Sequence, residues 1–362
     1  MDIFSLLLPK YKINKNNPLR LITLFSGYDS QKLGFDYLDI SIEHYRAIEF
    51  DKYAIQSLNE IHGTNFTTND ITQINADDLG IVDTDKITYL LTYSFPCTDL
   101  SNAGKKAGME KGSGTRSGLL WEVERLLKES KEKCQVLIME NVPQVLSSKG
   151  WREWLLFLES LGYYNYVEVL NAKDYGIPQN RERCFMVSIL GDYSYEFPKK
   201  MLLGIEQQDL LEAEVDEKYY LSQAMKKYIV STSDLHHNSD TRINRDITVT
   251  LNTRVGNCRT CESDYISDFL PKNFDLKLLS TEELCDIPIR KKTPSECFKI
   301  MGVKPSDYAK LTCSNAQKYK QAGNSIVTTV LMAIYSQLFD DVDYKFYIDK
   351  LIKELKEWIK YA

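Results

Sequence analysis

The chain has no apolar run long enough to cross a membrane: Leu6-Leu7-Leu8 follows Asp2 and is stopped by Pro9, which is also too short for a signal segment. It has no excess of positive charge. With 45 Lys and Arg against 51 Asp and Glu the net charge is −6, so any nucleic-acid site must be a local basic surface rather than a property of the whole chain. It lacks a disulfide framework, because its eight cysteines show no repeating spacing over 362 residues, as in proteins of a reducing compartment. Cys258-x-x-Cys261 lies downstream of His236 and His237, but the spacing matches no zinc module, and no metal is expected. The expectation is a cytoplasmic globular protein with room for two unequal domains.

What is present is a series of apolar runs, each ending in a polar residue suited to chemistry. Ile87 to Tyr93 reads as a buried strand, and Pro96 stops it just before Cys97. Cys97 therefore belongs at a strand's carboxyl end, where open α/β sheets hold their ligands, although a lone cysteine is often only a small buried hydrophobe. Val136 to Met139 reads the same way and ends in Glu140-Asn141-Val142-Pro143. A thiol beside a proton-donating acid is what conjugate addition to a ring requires. Earlier, Leu19 to Phe25 runs into Ser26-Gly27-Tyr28-Asp29-Ser30, a strand, tight turn and helix start of the kind that cradles an adenosine-type cofactor. The second glycine of a full fingerprint is missing, since Asp29 stands there. Glu49 closes the next strand, Tyr45 to Ile48, about 20 residues after the glycine turn, where an acid accepts from ribose hydroxyls. Phe50 beside it is suited to pack on adenine, and Asp70-Ile71 ends a further segment on the same side.

Gly104, Gly108, Gly112 and Gly114 alternate with Lys105, Lys106, Lys111 and Arg116, a glycine-dense basic loop suited to phosphate contact or simply to solvent. Gln179-Asn180-Arg181-Glu182-Arg183 leads into strand Cys184 to Leu190, and its two arginines around a glutamate could equally form a surface ion-pair clasp.

Taken in order, Phe25-Ser26-Gly27, Glu49, Asp70-Ile71, Pro96-Cys97, Glu140-Asn141-Val142, the Gln179 to Arg183 run, Arg290 to Gly302 and Gly323-Asn324-Ser325 resemble the motif series of the cytosine-5 DNA methyltransferases, over about residues 19 to 340. The resemblance implies an α/β, Rossmann-like, S-adenosylmethionine-dependent methyltransferase domain with a second, smaller target-recognition domain. It implies Cys97 as nucleophile on carbon 6 of a flipped-out cytosine, Glu140 at ring nitrogen 3, Arg183 on the base oxygen, and Arg181 steadying the acid and a nearby phosphate. Around S-adenosylmethionine it places Phe25, Gly27, Glu49, Phe50, Asp70, Ile71, Pro96, Leu120, Asn324 and Ser325. Asn324 is also expected to brace the two domains.

The implied partner is double-stranded DNA, with no membrane, a monomeric chain, and a restriction endonuclease as a possible separate companion. Ser101, Lys105 and Arg116 are assigned to the loop over the target. Arg242, Arg245, Arg254 and Arg259 are assigned to base reading on a small β-structure within Ile243 to Arg259. The expected order is an extension over 1–18, catalytic domain 19–195, target recognition 196–289, a return to the catalytic domain over 290–342 with Gly323-Asn324-Ser325 opening a helix, and a tail helix over 343–362. Two rival readings remain open: a tRNA cytosine-5 methyltransferase, and a DNA-binding regulator that has lost turnover.

Overall fold

The computed structural model describes residues 8–97, 108–112, 114–231, 242–256 and 264–357. Its chain forms two compact units, the first of residues 1–170, 182–199 and 330–347, the second of 171–181, 200–329 and 348–362.

The first unit is built on a six-stranded sheet of β1 (Leu19–Leu24), β2 (Glu43–Ile48), β3 (Thr88–Tyr93), β4 (Val136–Asn141), β5 (Tyr163–Asn171) and β7 (Glu182–Leu190), in the order β2-β1-β3-β4-β7-β5. β3 and β4 are buried at every position, as expected of central parallel strands covered on both faces. The first four strands are parallel, and β7 runs antiparallel to β4. Register then fixes the functional edge. Leu24 pairs with both Ile48 and Tyr93, and Tyr93 pairs with Met139, so Phe25, Glu49, Ser94 and Glu140 follow one another along the same carboxyl edge. Strand order reverses between β1 and β3, which makes this edge a topological switch point.

The connecting helices obey local rules. Helix α1 (Ser30–Asp36) is capped by the Asp29 side chain, which accepts from the Lys32 amide, and α2 (Lys52–His62) is capped by Asp51 and stopped by left-handed Gly63. Helices α3 (Leu120–Glu129) and α4 (Gly150–Ser160) send Leu120, Trp121, Val123, Trp154 and Leu158 into the main core. Within residues 8–18, the chain is held by Tyr11 N–H on the Ser194 carbonyl at 2.9 Å and by Ile13 N–H on that of Leu338 at 2.8 Å, so this stretch packs rather than hanging free.

The second unit has little sheet. Its pairs are β6 (Gln179–Asn180) with β9 (Thr248–Val249), and β8 (Arg242–Ile243) with β10 (Phe274–Asp275). The β-structure expected along 247–251 stops after two residues, because at Leu251 the backbone N–H is taken by the Gln179 side-chain oxygen at 3.1 Å instead of by a strand. Leu221, Ile243, Tyr265, Leu276, Leu284 and Ile289 form its small core with helices α5 (Gln223–Ser231) and α6 (Thr281–Asp286). Helices α7 (Pro294–Ile300), α8 (Pro305–Tyr308) and α9 (Asn315–Asn324) complete it, and α10 (Thr328–Ser336) and α11 (Tyr344–Glu357) follow.

Two expectations change here. Residues 290–329, expected to rejoin the catalytic part, cluster with 200–289; the paired backbones of Ile266 and Arg290 and the Glu212 amide on the Glu296 carboxylate at 2.8 Å tie them there. Gly323 and Asn324 end α9 instead of opening the next helix. A Cβ on Gly323 would lie 2.2 Å from the Asn252 carbonyl carbon, so only glycine admits that backbone. Among the described residues, no helix is long and apolar enough to cross a membrane.

Candidate active site

Cys97 is half-buried in the loop after β3. The two carbonyls before it are tied down by side chains from elsewhere: Asn141 Nδ2 donates to the Phe95 oxygen at 2.9 Å, and Ser117 Oγ to the Pro96 oxygen at 2.7 Å. Asn141 also accepts the Val142 N–H at 2.9 Å, so the end of β4 and the cysteine loop form one hydrogen-bonded block. Leaving such a buried carbonyl unpaired costs about 1–3 kcal/mol. Ser94, Ser117 and Asn141 were given no individual role by the sequence, although Asn141 stands within the Glu140-Asn141-Val142 motif.

Glu140 is 7% exposed. One carboxylate oxygen receives the Ser94 hydroxyl in a short hydrogen bond, and the other lies 3.2 Å from Arg183 Nε. Arg183 gives one terminal nitrogen to the Glu182 carbonyl at 2.7 Å. Among the described residues nothing else holds its remaining terminal nitrogen. Arg183 enters at the start of β7, whose register sets Cys184 against Asn141, and burial with the nearby Glu140 charge raises the Cys184 thiol to about 12. That inert neighbour is a packing residue. Arg181 falls in the break between β6 and β7 and belongs to the second unit. There it is buried and donates to the carbonyls of Leu251 at 2.7 Å, Gly323 at 3.1 Å and Ser325 at 2.8 Å, a brace for that unit.

At the same edge, Phe25 and Gly27 both have left-handed backbones, with φ of 57° and 58°. The Gly27 amide donates to Glu49 Oε2 at 2.9 Å, and the Asp51 amide to Oε1 at 2.8 Å. Desolvation raises the Glu49 pKa against these hydrogen bonds. Each carboxylate oxygen still has a second lone pair for a ribose hydroxyl. Phe50 is 74% exposed beside it, and the position of a Gly27 Cβ is open space. An exposed aromatic, a half-buried acid with only part of its hydrogen-bonding capacity used and an open glycine turn suit an adenosine group. Asp70 is half-buried and accepts the Thr72 amide at 2.9 Å, and Asn69 ties this loop to the Glu49 carbonyl at 2.8 Å. Ile71 and Leu120 are buried in the core, and Pro96 is half-buried.

The chain belongs to the family of C-5 cytosine-specific DNA methylases. The family model matches residues 19–340. The chain is 38% identical over 275 residues to the type II methyltransferase M2.ScrFI of Lactococcus lactis subsp. cremoris, covering 73% of this chain and 71% of that one. It is 32% identical to the type II methyltransferase M.NlaX of Neisseria lactamica over 88% and 96% of the two chains. Among solved structures, the Entamoeba histolytica methyltransferase EhMeth superposes with a TM-score of 0.75 at 18% identity, over 90% of this chain and 99% of that one, a likeness of fold. This methylase uses S-adenosylmethionine and methylates DNA cytosine at carbon 5.

Arg116 and Arg254 are exposed, as is Arg242 on β8. Arg245 is largely buried, its Nε 3.8 Å from the Asp264 carboxylate. Asn324 is exposed and Ser325 half-buried, both in the second unit. Ser101, Lys105, Arg259, Cys258, Cys261, His236 and His237 lie outside the described residues.

Proposed function

We propose that Cys97, Glu140 and Arg183 are the catalytic residues and that Gly27, Glu49 and Phe50 hold the cofactor. The observation that carries this reading is Glu140, fixed between the Ser94 hydroxyl and Arg183 on the sheet edge where the pinned Cys97 loop emerges. Carbon 5 of cytosine is a poor nucleophile. Addition of the Cys97 thiolate to carbon 6, with Glu140 holding a proton at ring nitrogen 3, turns carbon 5 into an enamine carbon that attacks a methyl group. S-adenosylmethionine supplies that methyl and departs as S-adenosylhomocysteine. Loss of the carbon 5 proton to water then re-forms the double bond as the cysteine leaves as thiolate and the proton at nitrogen 3 returns to Glu140. The unengaged terminal nitrogen of Arg183 is suited to the base oxygen. Because carbon 6 is shielded in a duplex, the base must leave the stack, and exposed Arg116, Arg242 and Arg254 are suited to phosphate or base contact.

The finer reading is a monomeric enzyme of the cytoplasm acting at one short duplex site, alone or beside a restriction endonuclease; the likeness to type II methyltransferases supports the restriction-linked role. The test is base-resolution sequencing of DNA from a methylation-free bacterial host expressing wild type or Cys97→Ser. The expected outcome is 5-methylcytosine at one motif with wild type and none with the variant. Equal methylation by the variant removes Cys97 as nucleophile, and product confined to tRNA removes DNA as the substrate.

A further inference from the structure

Behind the cofactor turn lies a buried polar cluster that the reaction leaves unused. Asp29 follows Ser26-Gly27-Tyr28 with φ 62° and ψ 61°, a left-handed conformation that aspartate tolerates better than most residues. It is fully buried. Its Oδ2 accepts from Thr23 Oγ at 2.7 Å and lies 2.7 Å from His44 Nε2, while Oδ1 accepts the Lys32 amide at 3.2 Å. His62 Nε2 lies 3.2 Å and 3.1 Å from the carbonyls of Tyr28 and Asp29. Two carbonyls can share that nitrogen only if it carries the proton. The two rings meet edge to face at 5.3 Å, and Phe66 covers His44 at 4.9 Å.

These residues come from separate elements. Thr23 is on β1, Asp29 in the turn, His44 on β2 and His62 at the end of α2. The cluster therefore clamps β1 and its turn to β2 and α2, the two pieces that carry Gly27 and Glu49. Burial alone would keep the Asp29 carboxyl neutral, but His44, His62 and the Thr23 hydroxyl overcome it and hold its pKa below the usual value. The floor of the turn thus holds a buried carboxylate tied to β1, β2 and α1, at a position where a glycine would leave it slack.

We propose that Asp29, His44 and His62 are positioning residues for S-adenosylmethionine, presetting the Gly27 amide and the Glu49 carboxylate across the β1 turn and β2. This rests on the reading of Gly27 and Glu49 as cofactor contacts. They touch no reacting atom, so their loss weakens cofactor binding and spares the chemical step once cofactor saturates.

The experiment is calorimetric titration of the full chain with S-adenosylhomocysteine, together with KM for S-adenosylmethionine and kcat on unmethylated bacterial genomic DNA. Asp29→Gly keeps the backbone freedom but removes the carboxylate; it is expected to weaken binding and raise KM by about tenfold while kcat stays within about threefold. His44→Leu leaves Asp29 without its ring and should match it, whereas His44→Gln keeps a donor and should bind within about threefold of wild type. Glu49→Ala serves as the reference for the cofactor site. If Asp29→Gly binds like wild type and Glu49→Ala does not, the proposal falls and the cofactor site stands; if Glu49→Ala also binds like wild type, the cofactor reading itself is wrong. Should Asp29→Gly not fold, equal affinities for His44→Leu and His44→Gln overturn the proposal.

Discussion

Among the described residues, Glu140 and Glu296 are buried glutamates that each face an arginine, and the two pairs are built differently. In the first unit Glu140 receives two contacts among the described residues, the Ser94 hydroxyl and Arg183 Nε. In the second unit Glu296 receives four: both terminal nitrogens of Arg290 at 2.8 and 2.9 Å, and the backbone amides of Glu212 and Thr293 at 2.8 Å each. A carboxylate has about four lone-pair sites. Glu296 is saturated and belongs to the scaffold; Glu140 keeps capacity for about two more contacts. Burial and an arginine neighbour do not by themselves distinguish a working acid from a structural one. The unfilled hydrogen-bonding capacity does.

The sharpest way to break this contrast is to neutralise each acid in place. Glu140→Gln is expected to lower kcat by about 10²- to 10³-fold with a melting temperature close to wild type, measured by methyl transfer and by thermal unfolding. Glu296→Gln leaves Arg290 buried without its counter-charge and should cost about 3–5 kcal/mol of stability, read from denaturant midpoints, while the folded fraction keeps its turnover. If the two variants exchange these phenotypes, the saturation argument is wrong.

A smaller loss follows for Gly323→Ala. The added carbon meets backbone, which cannot rotate away, so a cost of about 1–3 kcal/mol is expected; a variant as stable as wild type would show that α9 ends with room to spare. The smallest effect concerns pH and asks whether buried polar groups of the first unit outside the acid pair are scaffold too. Burial, the first cause, and the His44 neighbour hold the His62 pKa below its ordinary 6.5, against the pull of Asp29 and Asp36. The folded chain therefore keeps the ring neutral while the unfolded chain takes up a proton. The stability this provides is complete above about 6.5 and declines as pH falls through the folded value. The Asp29 carboxyl, also held low, adds loss in the same direction below its ordinary 3.8. Thermal melts from about pH 7.5 to about pH 5.5 should show a falling midpoint, less steeply in His62→Gln; a midpoint that rises on acidification sinks the assignment, with His44, Asp36 and Lys32 the other charged neighbours to examine.

The sheet was legible in the sequence where burial is two-sided. β3 and β4 are short runs of apolar residues that end in a turn or an acid, and Cys97, Glu140 and Glu49 stood out in the sequence because each follows or closes a strand-like run. The bonds that fix them were not legible, because they join distant positions: Asn141 to Phe95, Ser117 to Pro96, Ser94 to Glu140. Arg181 and Arg183 read as a pair because they flank Glu182 at the entry to a strand. Residue 181 lies in the break between β6 and β7, where its side chain turns to carbonyls of the second unit. Helix α9 escaped notice because Asn315–Asn324 is mostly polar, so its terminal glycine looked like a beginning. Asp29 was visible only as a departure from a glycine pattern; nothing local announces that His44 and His62 meet it.

Arg181 bears on how such a gene can be recombined. It lies in the short piece Asn171–Arg181, while the three oxygens it holds lie within residues 200–329. A chimaera that exchanges 200–329 between two relatives thus takes the donor from one parent and its acceptors from the other. Since all three acceptors are main-chain carbonyls, which every amino acid possesses, the incoming segment need only follow the same trace, whatever its side chains. The junction is conditional on one arginine codon and indifferent to the rest of the grafted sequence at those three positions, apart from the glycine codon at 323.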